Sequence, residues 1–249
     1  MSSPDIYHKW KLVSRNIVDK KIKDWKRLPD VVTMLEHVSF EYADIYLQNL
    51  LNEGVNPQII RTICAINDEF GNADIRTFRN DIYVSPSSIR YFRHAYDICN
   101  LIKIKNLKEV NIIEIGGGYG GLCVILNNLS SVMGITINKY IIYDLDEAQK
   151  LQHYYLSNFI NIDNIRWKSC DNFGSTLILN DLERNILVSN YCLSEIPNEY
   201  KIKYLNNILP KVHGGYLAWN WGDKTGLPID IIEVPEVPET GPGNTIMKW

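Results

Sequence analysis

Five glycines occupy six positions, Gly116, Gly117, Gly118, Gly120 and Gly121, directly after the apolar run Asn111-Ile-Ile-Glu-Ile115. Glu114 stands two residues ahead of the first glycine. A second acid, Asp144, ends the run Tyr140-Ile-Ile-Tyr143, 28 residues beyond Gly116. Glycines here let the chain turn through backbone angles that a Cβ obstructs, and let a ligand lie against bare backbone at a helix N-terminus. A carboxylate at Asp144 can accept both hydroxyl hydrogens of a ribose. The pattern predicts a site for a nucleoside-containing ligand. Gly116, Gly118 and Gly121 satisfy G-x-G-x-x-G, which suits a dinucleotide, so a nicotinamide-dependent oxidoreductase is open at this point.

Strand and helix periods position these groups. Strands are predicted at 109–115, 138–144, 164–168, 185–190 and 215–221, separated by segments long enough for crossover helices. That predicts an α/β fold, a Rossmann-like and mostly parallel sheet with helices on both faces. Two short runs, Asp230–Val234 and Thr245–Trp249, follow, joined by a Pro- and Gly-rich segment too short for a crossover. The last strand is therefore expected to run antiparallel. Before residue 109 the chain reads as helical: 5–25, a pattern from Pro29 through Leu50, then 57–70 and a helix starting at Ser85-Pro86, with 72–84 as a connector. The expected organisation is an N-terminal helical lid over 1–108 and a ligand-binding domain over 109–249.

Composition narrows the class. The chain has 249 residues, 45% of them hydrophobic, enough for a sizeable core. A net charge of −3 gives no field for nucleic acid. The five cysteines are odd in number and scattered, without C-x-x-C, which argues against a disulfide framework or zinc site and fits a reducing, cytoplasmic setting. No apolar run is long enough for a membrane span. No spacing demands a metal, so metal independence is expected.

Glu114 with Gly116, Gly118 and Gly120 also reads E-x-G-x-G-x-G, the pattern of class I S-adenosylmethionine-dependent methyltransferases. The reversed last strand and the preceding helical layer are similar to theirs. Glu114-Ile-Gly-Gly-Gly-Tyr-Gly-Gly-Leu122, Tyr143-Asp-Leu-Asp-Glu-Ala-Gln-Lys-Leu-Gln-His-Tyr-Tyr-Leu156 and Ser189-Asn-Tyr-Cys-Leu-Ser-Glu-Ile196 occur in the order seen in the sugar O-methyltransferase family, which residues 85–249 resemble. The resemblance implies an S-adenosyl-L-methionine cofactor and methyl transfer to a sugar or glycan hydroxyl. It implies that Glu114, Gly116, Gly117, Gly118 and Tyr119 hold the amino-acid end of the cofactor. Asp144 would hold the ribose and Leu145 the adenine ring. Asp171 and Asn172 would meet the adenine amino group, with Asn190 on the same rim.

Methyl transfer to a hydroxyl needs an aligned oxygen and a group to take its proton. Glu195, just after the fourth strand, is the first candidate base, and His94 the second. His153, on the helix after Asp144, is expected to face away, and His213 to be a plain residue of a Val-His-Gly-Gly turn. Arg90 and Tyr91 from the helical region, Tyr191 and Trp221 on the rim, and Glu239 in the tail loop, with Glu236 and Thr240, are the candidate substrate contacts. Acids and aromatic faces suit sugar hydroxyls and ring stacking. A small phenol or a protein acceptor, and a non-catalytic binding role, stay open. The expected partners are a substrate molecule and, in assembly, a homo-oligomer.

Overall fold

The computed structural model describes residues 3–177 and 184–249. Helix α1 (Ser3–Lys20) is followed by α2 (Pro29–Met34), α3 (Phe40–Asn52), α4 (Pro57–Asp68), a hairpin of β1 (Arg76–Phe78) and β2 (Ile82–Val84), and α5 (Pro86–Ile104). The start signals are physical caps. Asn56 accepts the Gln58 amide ahead of Pro57 at α4, and Ser85 accepts the Ser88 amide ahead of Pro86 at α5.

Three sequence expectations need correction here. The pattern from Pro29 through Leu50 is two helices: the chain leaves helical angles at Leu35, and Ser39 caps a new start by accepting the Tyr42 amide. The helix expected over 5–25 stops at Lys20, because Lys21 takes a left-handed conformation and Trp25 sits in a separate short turn. The connector 72–84 holds the β1–β2 hairpin.

From residue 109 the chain alternates. Strand β3 (Glu109–Ile115), helix α6 (Gly121–Val132), β4 (Thr136–Asp144), α7 (Asp146–Leu156) and β5 (Ile165–Ser169) come first. Then come β6 (Asn185–Asn190), the single turn α8 (Cys192–Glu195), α9 (Asn198–Ile208), β7 (Gly214–Trp219), β8 (Ile232–Pro235) and β9 (Thr245–Lys248). The seven-stranded sheet has the order β5-β4-β3-β6-β7-β9-β8. All its pairs are parallel except those made by β9, which runs against both β7 and β8. This is the expected α/β architecture with one reversed strand. The order changes direction between β3 and β6, so the crevice for a ligand opens at the carboxyl ends of those two strands.

Both faces of the sheet are covered, as continuous apolar strands require. Ile112 joins the core shared with α5, α6 and the N-terminal helices, while Ile113 joins the core under α9. The first core runs from Trp10 to Ile246 and crosses the boundary expected at residue 108. Its centre is Trp25, fully buried against Tyr119 (ring centroids 4.9 Å apart) and Tyr155 (5.9 Å). Beside it Lys26 is buried, donates to the Asn67 carbonyl at 2.5 Å, and lies 4.8 Å from the Tyr119 ring centre. No helix among the described residues is long and apolar enough to cross a membrane.

One core predicts one unfolding transition. Trp25→Ala should cost about 4 kcal/mol and keep a single urea transition with the sheet. A separate early transition of the helical layer, with the sheet unaffected, would show instead that the two regions fold independently.

Candidate functional site

The glycine turn leaves β3 and enters α6. Gly116 (φ 77°), Gly118 (φ 55°) and Gly120 (φ 102°) all take left-handed angles, which only glycine adopts at little cost. A Cβ on Gly116 would lie 2.3 Å from the Cys192 Cβ, so that residue must be bare for the turn to approach α8. Gly120 caps α6, whose first N–H groups face the crevice without intrahelical partners.

Asp144, at the end of β4, fastens this turn. Its Oδ2 accepts the Gly117 amide at 2.9 Å and the Gln152 side-chain amide at 2.8 Å, while Oδ1 accepts the Leu145 amide at 2.8 Å. Gln152 also donates to the Gly118 carbonyl at 3.0 Å. Burial pushes the Asp144 carboxyl up to about 6, although the donors from Leu145, Gln152 and Gly117 pull the other way. Oδ1 keeps acceptor capacity for a ligand hydroxyl.

Glu114 lies beneath the same turn. It is 2% exposed and accepts the Tyr140 hydroxyl at 2.9 Å. A Cβ on Gly117 would stand 3.4 Å from its Oε2, which places the carboxyl directly under the loop. Burial pushes Glu114 up to about 8; the Tyr140 hydrogen bond opposes this and the nearby Asp144 charge adds to it. Among the described residues no salt bridge reaches Glu114 or Asp144.

Across the crevice, Asn190 ends β6. Both its side-chain Oδ1 and Nδ2 are buried without a hydrogen-bond partner. Tyr191 follows in a left-handed conformation (φ 63°), held by its amide bond to the Ala218 carbonyl at 2.8 Å. Glu195 accepts the Asn220 side-chain amide at 2.7 Å; burial raises its carboxyl above the ordinary range, and the Asn220 bond moderates this. From α1 comes Tyr7, whose hydroxyl is buried and unpartnered. Burial raises that hydroxyl strongly, and the neighbouring Cys192, Glu195 and Asp144 add to the shift.

The tail loop closes the far side. Glu236 is 2% exposed and collects donors from Tyr46 (2.6 Å), the Thr240 hydroxyl (2.6 Å), the Thr240 amide (3.2 Å), Asn244 (3.0 Å) and the Tyr191 hydroxyl. Burial opposes its charge, yet the adjacent His94 and these donors hold its carboxyl below the usual range. His94 is 1% exposed, and its Nδ1 lies 2.7 Å from the Tyr216 hydroxyl.

The structure gathers Glu114, Gly116, Gly117, Gly118, Asp144, Leu145, Asn190, Tyr191 and Glu195 on one rim. Several other candidates stand elsewhere. Tyr119 turns inward: it is fully buried and donates to Glu36 at 2.7 Å, because the Trp25, Tyr155 and Lys26 cluster takes its ring. Arg90, 4% exposed, does not reach out to a mouth; it donates to the Leu35 carbonyl at 2.9 Å and meets His37. Tyr91 packs on the Tyr119 ring. Asn172 accepts the Gly174 amide and so shapes its own turn, while Asp171 beside it is exposed. Glu239 is exposed and bonds the Gly243 amide; Glu236 holds the buried position. Trp221 is 74% exposed beyond β7. His153 and His213 are on the surface.

Gln152 and Tyr7 were missed. Gln152 lies on α7 eight residues after Asp144, a spacing near two helical turns that could have signalled it. Tyr7 carries no such signal. Among the described residues no group of three or more His, Cys, Asp and Glu side chains is arranged to hold a metal.

No protein-family model matches the chain. A search of curated proteins finds no match either. Solved structures give fold likenesses. An S-adenosylmethionine-dependent methyltransferase from Clostridium acetobutylicum shares 16% identity over 52% of this chain and 50% of its own, with a TM-score of 0.38. An amino pentose methyltransferase from Micromonospora echinaspora shares 11% over 58% and 57%, with a TM-score of 0.39. TrmK of M. capricolum, bound to S-adenosyl-homocysteine, shares 11% over 62% and 66%, with a TM-score of 0.42. The chain thus spans about half to two thirds of the length of these three structures. At such scores the likeness identifies neither activity nor substrate, which must come from this chain's own residues.

The raised Glu114 carboxyl has a stability consequence. An acid whose folded value exceeds its unfolded one favours folding only while protonated, and that advantage is lost as pH rises from about 4.5 to about 8. Glu114→Gln, which still accepts from Tyr140, should therefore melt higher than wild type at pH 8.5 and nearly equal to it at pH 4.5. Equal gains at both values, read by calorimetry, would place the ionised carboxylate at no disadvantage in the fold.

Proposed function

We propose that this protein is an S-adenosyl-L-methionine-dependent O-methyltransferase acting on a sugar or glycan hydroxyl. The observation that carries the reading is the pair of buried carboxyls, Glu114 and Asp144, set under a glycine turn with no ion-paired cation among the described residues. Such a site favours a cationic ligand. A nicotinamide dinucleotide would bring its anionic diphosphate to this turn, where two buried carboxyls offer it no counter-charge. S-adenosylmethionine carries a sulfonium and an ammonium group instead.

The residues fit that group. Gly116–Gly118 leave backbone bare, and the α6 N-terminus favours a ligand carboxylate. Glu114 faces the ammonium end, Asp144 the ribose hydroxyls and Leu145 the adenine, with Asp171 beyond it. The amide of Asn190 and the hydroxyl of Tyr7 offer buried polar atoms that lack protein partners. When bound, S-adenosylmethionine supplies an electrophilic methyl carbon, and the C–S bonding pair stays on sulfur as an acceptor oxygen takes that carbon. The protein's part is to exclude water, align the hydroxyl and accept its proton. Two groups can accept it, Glu195 and His94. Tyr191 offers a ring face to a sugar, while Trp221 and Glu239 lie exposed outside the rim. Arg90 and Tyr91 support that wall from behind.

Calorimetric titration tests the reading. S-adenosylhomocysteine should bind, and Asp144→Ala should weaken it roughly tenfold to hundredfold, the worth of hydrogen bonds to a charged group. Affinity should rise between pH 6 and 8.5, since Asp144 and Glu114 shed protons over that range to meet the ligand's ammonium. Binding of NAD with none of S-adenosylhomocysteine would sink the proposal.

A further inference from the structure

His94 belongs to a buried chain of polar groups that the cofactor side does not use. Its Nδ1 lies 2.7 Å from the Tyr216 hydroxyl, and that hydroxyl lies 3.4 Å from Asp97 Oδ2. Arg93, one turn away on α5, holds Asp97 by two bonds, and Lys248 of β9 stands 3.8 Å from it. At the other end the imidazole Nε2 is buried and has no partner. The ring packs between Tyr46, Tyr191 and Tyr216, with centroids 6.4, 6.4 and 5.8 Å away. It forms part of the wall of a cavity of about 170 Å³ that also touches Tyr46, Asp97, Tyr216 and Glu236.

Proton counting fixes the tautomer. A tyrosine hydroxyl has one hydrogen. Both Tyr216 contacts can be hydrogen bonds only if Tyr216 donates to Asp97 and His94 Nδ1–H donates to the Tyr216 oxygen. A neutral imidazole with its proton on Nδ1 has a bare lone pair on Nε2. Burial keeps the ring neutral, pushing it down to about 4; Glu236 and Asp97 pull the other way, while Arg90 and Arg93 add to the depression. Glu195, by contrast, already spends one oxygen on Asn220.

We propose that Asp97 and Tyr216 are positioning residues that hold His94 as the proton acceptor for the substrate hydroxyl. The inference rests on the methyl-transfer reading. In the step the acceptor O–H bond breaks and its proton moves to Nε2, while the oxygen takes the methyl carbon and the S–CH3 bonding pair stays on the sulfur of the departing S-adenosylhomocysteine. The imidazolium so formed faces the Glu236 and Asp97 carboxylates, which oppose the cost of its burial. The arrangement uses the logic of an acid orienting a histidine base, with a tyrosine hydroxyl interposed.

The test reads the tautomer directly, by long-range proton–nitrogen correlation NMR on 15N-histidine-labelled protein. His94→Gln identifies the His94 signals by their loss. The wild type should show a protonated Nδ1 and a bare Nε2, and Tyr216→Phe, which removes the acceptor of Nδ1–H, should shift the population toward protonated Nε2. Protonated Nε2 in the wild type, or no change in Tyr216→Phe, overturns the proposal. On a panel of hydroxylated acceptors, His94→Gln should lower turnover at least a hundredfold with S-adenosylhomocysteine affinity within twofold of wild type. Tyr216→Phe should lower kcat with KM little changed. Loss confined to Glu195→Gln would move the role there. Absence of S-adenosylhomocysteine binding would instead overturn the parent reading, whatever the tautomer.

Discussion

Two carboxyl groups buried without a cation are the constraint around which this fold is arranged. Glu114 and Asp144 end adjacent parallel strands, so their separation is set by the ladder and not by any flexible loop. Burying an ionised carboxylate is costly unless it is hydrogen-bonded or neutralised. Asp144 meets part of that cost with three donors, two of them backbone or side-chain groups that shape the glycine turn. Glu114 has one donor, Tyr140, and meets the rest by holding its proton. The turn, α6 and α7 are therefore locked in place by the groups that a ligand would use.

The helical layer is built so as not to satisfy those acids. Its buried cation, Lys26, turns to the Asn67 carbonyl and to the faces of Trp25, Tyr119 and Tyr155. Arg90 is likewise tied to the Leu35 carbonyl. Tyr119 is the link: it rises from the glycine turn, enters the Trp25 cluster and bonds Glu36. Packing of the first hundred residues thus fixes the turn's position without bringing a cation to its acids. A buried acid pair with no cation beside it among the described residues, next to orphaned polar atoms of Asn190 and Tyr7, is stable only if the energy comes from packing elsewhere.

The strands and the rim were legible because period and composition act locally. The ends of β3 and β6 fall where the apolar runs 109–115 and 185–190 stop, since parallel strands buried on both faces leave little choice of residue. The glycines were legible because positive φ excludes nearly everything else. What could not be read was direction in space. Nothing in the order Gly118-Tyr119-Gly120 says that the tyrosine turns inward, because that depends on Trp25, some ninety residues earlier. The exchange of Glu239 for Glu236 has the same cause. Both acids lie in one proline-rich loop, and the donors from Tyr46, Tyr191, Thr240 and Asn244 gather on Glu236. The break between α2 and α3 was visible in Ser39 as a cap, yet the unbroken apolar spacing across it pointed to one helix.

The reversed strand gives the tail loop its place and its chemistry. Because β9 runs against β7 and β8, the chain between β8 and β9 must turn at the ligand rim and not at the opposite edge. That turn brings Glu236 beside Tyr191, the residue whose left-handed backbone follows Asn190. Strain at Tyr191 is tolerated because the Ala218 carbonyl holds its amide and Glu236 holds its hydroxyl. Tyr46 ties the same carboxylate to α3, so a single buried acid joins the sheet, the tail and the helical layer. Glu236 has its acceptor positions filled by these donors, whereas His94 next to it keeps one nitrogen free. The two neighbours thus differ in hydrogen bonding: a saturated carboxylate fixes the geometry, and beside it one imidazole nitrogen has no partner among the described residues.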